Sequence, residues 1–380
     1  MKILLTAKQR GSTNALAPVA RELQRRGHQL QIYATGNKQE AAGFGDLSYQ
    51  RIDEGEPDYY HSLVEGYDAL ISGLSGDTTG DGSFIRAGNR AGIPSLAILD
   101  QNNNYQERFG GEIGNLPTLI AVMDEMCLPR IQRELGMKMA TEKMAKEVER
   151  RIKVTGWTAY DHLSQAREEF SDEQREALRK QLVGDSDAPL FVYLSQNIHP
   201  STEYMRTVSW EERKKVDFFR YEMEVTRAVL EEAKEHDVSL IVKPHPGERA
   251  SVNFTEQLVR SYRNTHFLPA EACKTQDLLL TAAGVFAGRS SCLAEACLLD
   301  RHVGAVLPEL AEEEREAFLP VTLRAIPSAE YWCDVPTLVE TIIYASQDEE
   351  TNQTLARNRK RFSVDGKASE RIADIVEEMN

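Results

Sequence analysis

Long apolar runs are absent from this sequence. No stretch approaches the roughly 20 consecutive apolar residues that a membrane-spanning helix needs. The apolar run in the first segment, MKILLTA, is also shorter than the core of about 7–15 apolar residues in a secretory signal peptide. We therefore expect neither a secretory leader nor stable membrane insertion, and we predict a cytoplasmic protein.

An excess of basic residues is absent as well. The chain has 45 Lys and Arg against 60 Asp and Glu, which gives a formal net charge of −15 at pH 7. Nucleic acids and anionic membrane surfaces attract proteins that carry a basic excess. The composition therefore argues against nucleic acid as a partner, but it allows a small anionic ligand that is held by a few local basic residues.

Cysteine is scarce and irregularly spaced. The chain contains five cysteines, none of them in C-x-x-C spacing: Cys127, Cys273, Cys292, Cys297 and Cys333. An odd, scattered set fits neither a disulfide framework nor a structural zinc site. We expect reduced thiols, and the sequence indicates neither a metal site nor a cofactor.

What is present is an alternation of two sequence patterns. The 380 residues, 41% of them hydrophobic and 28% charged, suffice for two domains of about 150–200 residues each. Short continuous apolar runs, typical of parallel strands covered on both faces, alternate with segments of helical periodicity. We predict strands over 2–7, 28–35, 68–74, 94–99, 118–123, 151–156, 189–195, 239–243, 284–288 and 302–307.

Strands that alternate with helices form βαβ crossovers and parallel sheets. We predict an α/β fold of two Rossmann-like, doubly wound domains that face a central cleft. The N-terminal domain covers 1–164, and the C-terminal domain covers 165–365 and begins with a charged helix over 165–183. A C-terminal helix in 366–380 is expected to pack back on the N-terminal domain. Ligands of such folds bind at the carboxyl ends of the strands.

The strongest candidate segment for function is AGRSSCLAEACLLD (287–300), which follows a strand and opens a helix. The start of a helix favours a phosphate through its unpaired N–H groups and its dipole. Arg289, Ser290 and Ser291 add donors, and Glu295 lies one turn further on, where it can accept hydrogen bonds from a ribose diol. Alternatively, Ser290 only caps the helix and Glu295 makes a surface pair.

A second candidate segment is LIVKPHPGE (240–248). The predicted strand ends at Lys243, and the prolines on either side of His245 fix the backbone, so the imidazole is presented rigidly at the strand tip. A basic pair in this position suits a diphosphate or a proton transfer. The alternative is a purely structural loop.

A third candidate segment, SQNIHPSTEY (195–204), begins at the tip of another strand of the second half. Ser195, Gln196 and Asn197 can contact a diphosphate, and His199 is a weaker candidate. An ordinary polar loop is the alternative.

The order of these motifs resembles that of the GT-B superfamily. KPHPGE followed by GRSSCLAEA is similar to the His-Pro turn and Ser-Gly-Gly…Glu-Glu-Ala helix start of UDP-N-acetylglucosamine 2-epimerases. It is also similar to the Lys-x-His-Pro and Ser-Ser pattern of the CDP-glycerol glycerophosphotransferases. SGDTT (75–79) resembles Gly-Asp-Thr-Thr of the epimerases. AILDQNNNYQERF (97–109) and VTGWTAYD (154–161) resemble surface-carbohydrate proteins of the same superfamily. The resemblance implies a GT-B fold and a nucleotide sugar as substrate.

The sequence also departs from the epimerase pattern. After the strand over 94–99 the epimerases carry His-Val-Glu-Ala-Gly-Leu-Arg, which supplies a catalytic glutamate, whereas this chain has Asp100 and then Gln101 to Asn104. The helix start has Arg-Ser-Ser in place of Ser-Gly-Gly. Both departures argue against a 2-epimerase reaction.

Basic and small residues follow the first strand of the N-terminal half. Lys8, Arg10 and Gly11 should lie at its carboxyl end and face the cleft. Arg10 can contact an anion of the donor or of the acceptor. The alternative is a solvated loop arginine.

Two aspartates of this half, Asp77 and Asp100, follow predicted strands and are candidates for the general base that deprotonates an acceptor hydroxyl. Asp77 also fits a helix cap before Thr78. We favour Asp100, because the asparagines behind it suit the hydroxyls of a polyol, and we expect Tyr105 and Arg108 to continue this surface.

We predict a glycosyltransferase that moves a glycosyl or similar phosphorylated group from a nucleotide-diphosphate donor to a carbohydrate or other hydroxyl acceptor, in surface-carbohydrate or glycoconjugate synthesis. His245 would assist the leaving diphosphate. Positioning and charge stabilisation supply most of such catalysis, so neither a metal nor a cofactor is required. The alternatives are a sugar-nucleotide epimerase or hydrolase on the same fold, and a non-catalytic sugar-nucleotide-binding protein. The sequence leaves a homodimer open.

Overall fold

The structure is a computed structural model, and it describes residues 1–74, 80–100, 105–109, 115–136, 142–195, 218–245, 252–288, 290–306, 328–329, 334–348 and 365–379. These residues form two compact units. Unit 1 contains Met1–Gln165 and the C-terminal residues 365–379. Unit 2 contains the described residues of 166–306 and 328–348.

Unit 1 is built on a seven-stranded parallel sheet. Its strands are β1 (Lys2–Ala7), β2 (Gln29–Ala34), β3 (Gln50–Arg51), β4 (Ala69–Leu74), β5 (Ser95–Leu99), β6 (Leu119–Val122) and β7 (Ile152–Val154), in the order β3-β2-β1-β4-β5-β6-β7. Its helices are α1 (Arg10–Arg25), α2 (Lys38–Ala41), α3 (Pro57–Val64), α4 (Asp81–Ala91), α5 (Tyr105–Arg108), α6 (Leu128–Gly136), α7 (Glu142–Arg151) and α8 (Asp161–Glu169), which crosses into unit 2.

Both faces of this sheet are covered, as the period of a strand requires. Along β1, Ile3 and Leu5 pack into one apolar cluster with α1, whereas Leu4 packs into another with Tyr60 of α3 and Phe84 of α4. A strand that is buried on both sides consists of continuous apolar residues. This explains why the sequence KILLTA indicates β1 so clearly.

Unit 2 contains a six-stranded parallel sheet. Its strands are β8 (Leu190–Leu194), β9 (Ser239–Lys243), β10 (Thr265–Phe267), β11 (Gly284–Ala287), β12 (His302–Val306) and β13 (Ser328–Ala329), in the order β10-β9-β8-β11-β12-β13. Its helices are α9 (Asp172–Val183), α10 (Phe218–Glu235), α11 (Val252–Arg260), α12 (Thr275–Thr281), α13 (Cys292–Leu298) and α14 (Asp334–Gln347). The predicted α/β class and its parallel sheets are confirmed.

The predicted helical stretch over 165–183 is divided between two helices. The segment 165–183 forms part of α8 and then α9, because Ser171 starts a new helix. The Ser171 hydroxyl accepts a hydrogen bond from the Gln174 backbone N–H at 3.2 Å, and the Gln174 side chain accepts one from the Ser171 N–H at 2.8 Å. This reciprocal pair is a capping box, which satisfies the first N–H groups of a helix.

The C-terminal helix α15 (Ala368–Glu378) packs against α1 of unit 1, and Ile372, Ala373 and Val376 belong to the same apolar cluster as Ile3. Its first turn is capped by Asp161 of α8. The Asp161 carboxylate accepts hydrogen bonds from the Ala368 N–H (3.0 Å), the Ser369 N–H (2.7 Å) and the Ser369 hydroxyl (2.6 Å). The aspartate of VTGWTAYD therefore fixes the end of the chain.

We expect Asp161→Ala to lower the free energy of unfolding by about 1.5–3 kcal/mol, because three hydrogen bonds to a carboxylate at a helix start are lost. Urea unfolding measures the change, and limited proteolysis reports the release of α15. The control is Asp374→Asn, since the Asp374 carboxylate is exposed and its one ion pair among the described residues is with Arg26, so its loss should matter little. An unchanged midpoint for Asp161→Ala would show that the cap contributes nothing.

Candidate functional site

Asp100 follows β5 of unit 1 and lies in a buried ion pair. Its Oδ1 accepts a hydrogen bond from Arg108 Nη1 at 2.6 Å, and the two side chains are 5% and 1% exposed. The same Nη1 also donates to the Leu74 carbonyl at 2.6 Å. Arg108 therefore ties together the carboxyl ends of β4 and β5 and fixes the orientation of the Asp100 carboxylate.

The second oxygen of Asp100 faces Gly11 in the first turn of α1. A Cβ atom at Gly11 would lie 2.6 Å from Asp100 Oδ2, a distance that leaves no room for a side chain. The start of α1 has no side-chain cap from Gln9 and no acidic residue in its first turn. Since a helix start favours a negative charge, Asp100 supplies that charge from β5.

The basic residues beside Gly11 have separate environments. Lys8 Nζ pairs with Glu54 Oε1 at 2.7 Å. Arg10 is exposed, and its Nη1 donates to the Gln39 carbonyl at 3.3 Å. The described part of this edge of the sheet therefore brings Arg10, Gly11 and Asp100 together, as the sequence predicts for residues at the carboxyl ends of β1 and β5.

The expected surface behind Asp100 is not exposed where it is described. Tyr105 is 0% exposed and Arg108 is 1% exposed. The reason is that α5 packs into the core and that Arg108 pairs with the Asp100 carboxylate. Several predicted site residues lie outside the described part of the chain: Asp77, Gln101 to Asn104, Gln196, Asn197, His199 and Arg289.

In unit 2, Lys243 ends β9 and is 4% exposed. Its ammonium group donates to the carbonyl of Ala270 and to that of Cys273, the latter at 3.1 Å. Burial lowers the pKa of Lys243, and the negative ends of these carbonyl dipoles stabilise the ammonium group. Lys243 thus holds the 270–273 loop to β9, a contact between distant segments that the sequence does not reveal.

The other candidates of β8 and β9 lie at the strand tips. Ser195 is buried, and its N–H donates to the Lys243 carbonyl at 3.0 Å. Pro244 is buried, and His245 behind it is exposed. The imidazole is therefore presented to solvent at the carboxyl end of β9, as the proline-flanked motif predicts.

The helix that follows β11, α13, begins with the predicted serines. Ser290 Oγ accepts a hydrogen bond from the Cys292 N–H at 3.2 Å, so the capping role considered for Ser290 is present. Ser291 is exposed. Because β9, β8 and β11 are neighbours in the sheet, Ser195, His245 and both serines share one carboxyl edge.

Glu295 of α13 is half-buried and makes neither an ion pair nor a hydrogen bond with any described residue. Burial raises the pKa of Glu295 to about 7, because removal from water disfavours the charged form. The surface pair considered as the alternative for Glu295 is therefore not seen among the described residues. A carboxyl group that lacks hydrogen-bond donors at a ligand-binding edge is a candidate ligand contact.

The described helices include none that is long and apolar enough to cross a membrane. The described residues also contain no group of three or more His, Cys, Asp or Glu side chains that could hold a metal ion.

No protein-family model matches the chain, and no curated protein matches it in sequence. Solved structures do match it over its full length. A UDP-GlcNAc 2-epimerase from Neisseria meningitidis, bound to UDP-GlcNAc, gives a TM-score of 0.67 at 16% identity, with 100% of both chains covered.

Two further solved structures are also similar. A glycosyltransferase from Rickettsia africae gives a TM-score of 0.66 at 10% identity over 100% of this chain and 98% of its own. MurG from Acinetobacter baumannii gives 0.60 at 11% identity over 100% of both chains. At these identities the comparison shows the fold. The predicted GT-B fold of two Rossmann-like units is thus confirmed.

Proposed function

We propose that unit 2 binds the nucleoside diphosphate of a nucleotide sugar and that the protein transfers the glycosyl or a similar phosphorylated group to a hydroxyl acceptor. The observation that carries this proposal is Glu295, a carboxyl group that receives no hydrogen bond from any described residue and lies one turn into the helix after β11. The two hydroxyls of a ribose supply the donors that it lacks. The fold adds support, because the similar epimerase structure from N. meningitidis holds UDP-GlcNAc.

The diphosphate would lie at the same edge of the sheet. Ser291 and His245 are exposed there, while Arg289 and Asn197 follow from the sequence alone. Lys243 acts indirectly in this proposal, because its ammonium group is committed to the 270–273 loop. We propose that Lys243 holds that loop in place and does not contact a phosphate.

In unit 1 we propose Asp100 as the general base, with Asp77 as the next candidate. Arg108 occupies Oδ1 of Asp100, so Oδ2 is the oxygen left to accept a proton from the acceptor hydroxyl. Arg10 is exposed nearby and would contact an anionic group of the acceptor or donor. The free thiols of Cys127, Cys273, Cys292 and Cys297 fit a cytoplasmic location, since reducing compartments keep thiols unpaired.

A sugar-nucleotide epimerase or hydrolase is the second candidate function, and the N. meningitidis epimerase structure, with a TM-score of 0.67, favours it. Product analysis separates the two. Incubation with a panel of nucleotide sugars should give no product until a hydroxyl acceptor is added. An epimerised or hydrolysed sugar formed without any acceptor would exclude the transferase and support the second function.

We expect Glu295→Ala to weaken nucleoside diphosphate binding by about 1.5–3 kcal/mol, because hydrogen bonds to a charged acceptor are worth that much. Calorimetric titration measures the dissociation constant. Asp277→Asn is the matched control, since it removes one carboxylate from α12, the helix packed on α13. An unchanged dissociation constant for a folded Glu295→Ala protein would remove the ribose contact.

A further inference from the structure

Glu295 shares one face of α13 with the residues that lie one turn before it and one turn after it. Of these neighbours Leu298 and Leu299 are buried, Cys292 is half-buried and Ser291 is exposed. Glu295 thus extends from a helix that is packed into the core of unit 2, and its carboxyl group has lost most of its contact with water. A carboxylate in this position is costly unless hydrogen-bond donors replace the lost water.

No described group around Glu295 provides that replacement. The elements packed on α13 include β11, which has no titratable residue, β12 with His302, and α12 with Asp277. Arg167 of α8 also reaches α13, where its Nη1 donates to the Leu298 carbonyl at 3.2 Å. Burial lowers the pKa of His302, so this imidazole is neutral at pH 7. Lys243 of β9 lies close enough to act on the Cys292 thiol, whose pKa burial raises to about 12, but it does not stabilise Glu295.

In the ligand-free protein the carboxyl group of Glu295 is therefore partly protonated near neutral pH. With its pKa raised to about 7 by burial, both the protonated and the ionised form are populated near neutral pH. A protonated carboxyl has one acceptor oxygen and one O–H donor, whereas the ionised form accepts hydrogen bonds with both oxygens. A vicinal diol, which offers two O–H donors, prefers the ionised form.

We infer that binding of a nucleotide sugar expels one proton from Glu295 to the solvent, so that the affinity of unit 2 depends on pH. The coupling presupposes the nucleotide binding proposed above. The Glu295 O–H bond breaks, the proton passes to the buffer, and the carboxylate accepts hydrogen bonds from the ribose hydroxyls. The bound state holds fewer protons than the free state, so the affinity rises with pH. The rise ends where the free protein is already ionised, just above its pKa of about 7.

Calorimetric titration of the full chain with UDP-N-acetylglucosamine tests this coupling. The titrations run from pH 5.5 to pH 8.5, because these limits lie about one and a half units on either side of the pKa of Glu295. The nucleotide sugar is the right probe because its diphosphate is a diester, whereas a terminal phosphate itself titrates at about pH 6. We expect the dissociation constant to fall about tenfold per pH unit below about pH 6.5 and to level off above about pH 7.5. Two buffers of different ionisation enthalpy should report about one proton released per site at the acid end.

Two variants locate the proton. Glu295→Gln keeps the shape of the side chain but cannot titrate, so its affinity should no longer rise with pH and binding should release no proton. Asp277→Asn should retain the dependence of the wild-type chain. An affinity that still rises with pH in Glu295→Gln would place the released proton on another group and overturn the inference.

The remaining outcomes are distinct. Saturable binding of UDP-N-acetylglucosamine with the same affinity from pH 5.5 to pH 8.5, a span of about three units around the pKa of Glu295, would overturn the coupling and leave the proposed function intact. Failure of UDP-N-acetylglucosamine to bind at any pH would contradict the coupling. Failure of the UDP, CDP and GDP sugars alike would contradict the proposed function as well.

Discussion

Asp100→Asn is expected to lower turnover by about 10²–10⁴-fold, the range for loss of a general base. The asparagine oxygen can still accept the hydrogen bond that Arg108 Nη1 gives to Oδ1, so the end of β5 should keep its shape. The neutral amide that replaces Oδ2 cannot take a proton from the acceptor. Affinity for the nucleotide sugar should be almost unchanged, because the proposed donor contacts belong to unit 2.

Initial rates with donor and acceptor measure the turnover, and calorimetric titration with the donor measures its affinity. Donor binding reports on unit 2, so urea unfolding must also show wild-type stability before a lost rate is assigned to the chemical step. Asp46→Asn is the control, because the only ion pair of Asp46 within the described part of the chain is an exposed one with Arg21. Asp100→Asn with most of its activity intact would place the base elsewhere, and Asp77 would be the next residue to replace.

Arg108→Ala is expected to lower the free energy of unfolding by about 3–5 kcal/mol. The change leaves the Asp100 carboxylate buried at 5% exposure without its partner and removes the hydrogen bond to the Leu74 carbonyl. Urea unfolding measures the loss. Arg21→Ala, which breaks an exposed pair with Asp46, should cost about 1 kcal/mol or less.

A double replacement separates stability from catalysis at this pair. Apolar residues of similar volume often replace a buried ion pair without loss of stability. Arg108→Met combined with Asp100→Leu should therefore be more stable than Arg108→Ala but remain inactive. A loss below about 1 kcal/mol for Arg108→Ala alone would show that the pair is solvated.

The strands of the sheet centres are predictable from the sequence because they are buried on both faces. KILLTA and SLIVK are continuous apolar runs, and they form β1 and β9. The edge strands β3, β10 and β13 have only two or three residues each, which is too short to show a period. The start of α9 is encoded in Ser171 and Gln174, but the charged periodicity around it conceals the break.

The candidate site is only partly predictable, for a different reason. Asp100, His245 and Ser291 follow from their positions at strand ends, because parallel strands direct their carboxyl ends to one edge. The partners of such residues depend on tertiary contacts. The 270–273 loop beside Lys243 and α15 beside Asp161 join segments that no local pattern connects.

Nucleotide binding by unit 2 is tested most directly by a thermal-shift titration of the whole chain with UDP, CDP, GDP and their sugar conjugates. We predict that one base is preferred and that its conjugates at about 100 times the dissociation constant stabilise the protein by about 2.7 kcal/mol. Asp100→Asn should show the same shift, and Glu295→Ala a smaller one. A chain that none of these nucleotides stabilises, or that inorganic diphosphate stabilises equally well, would contradict a nucleotide-sugar site in unit 2.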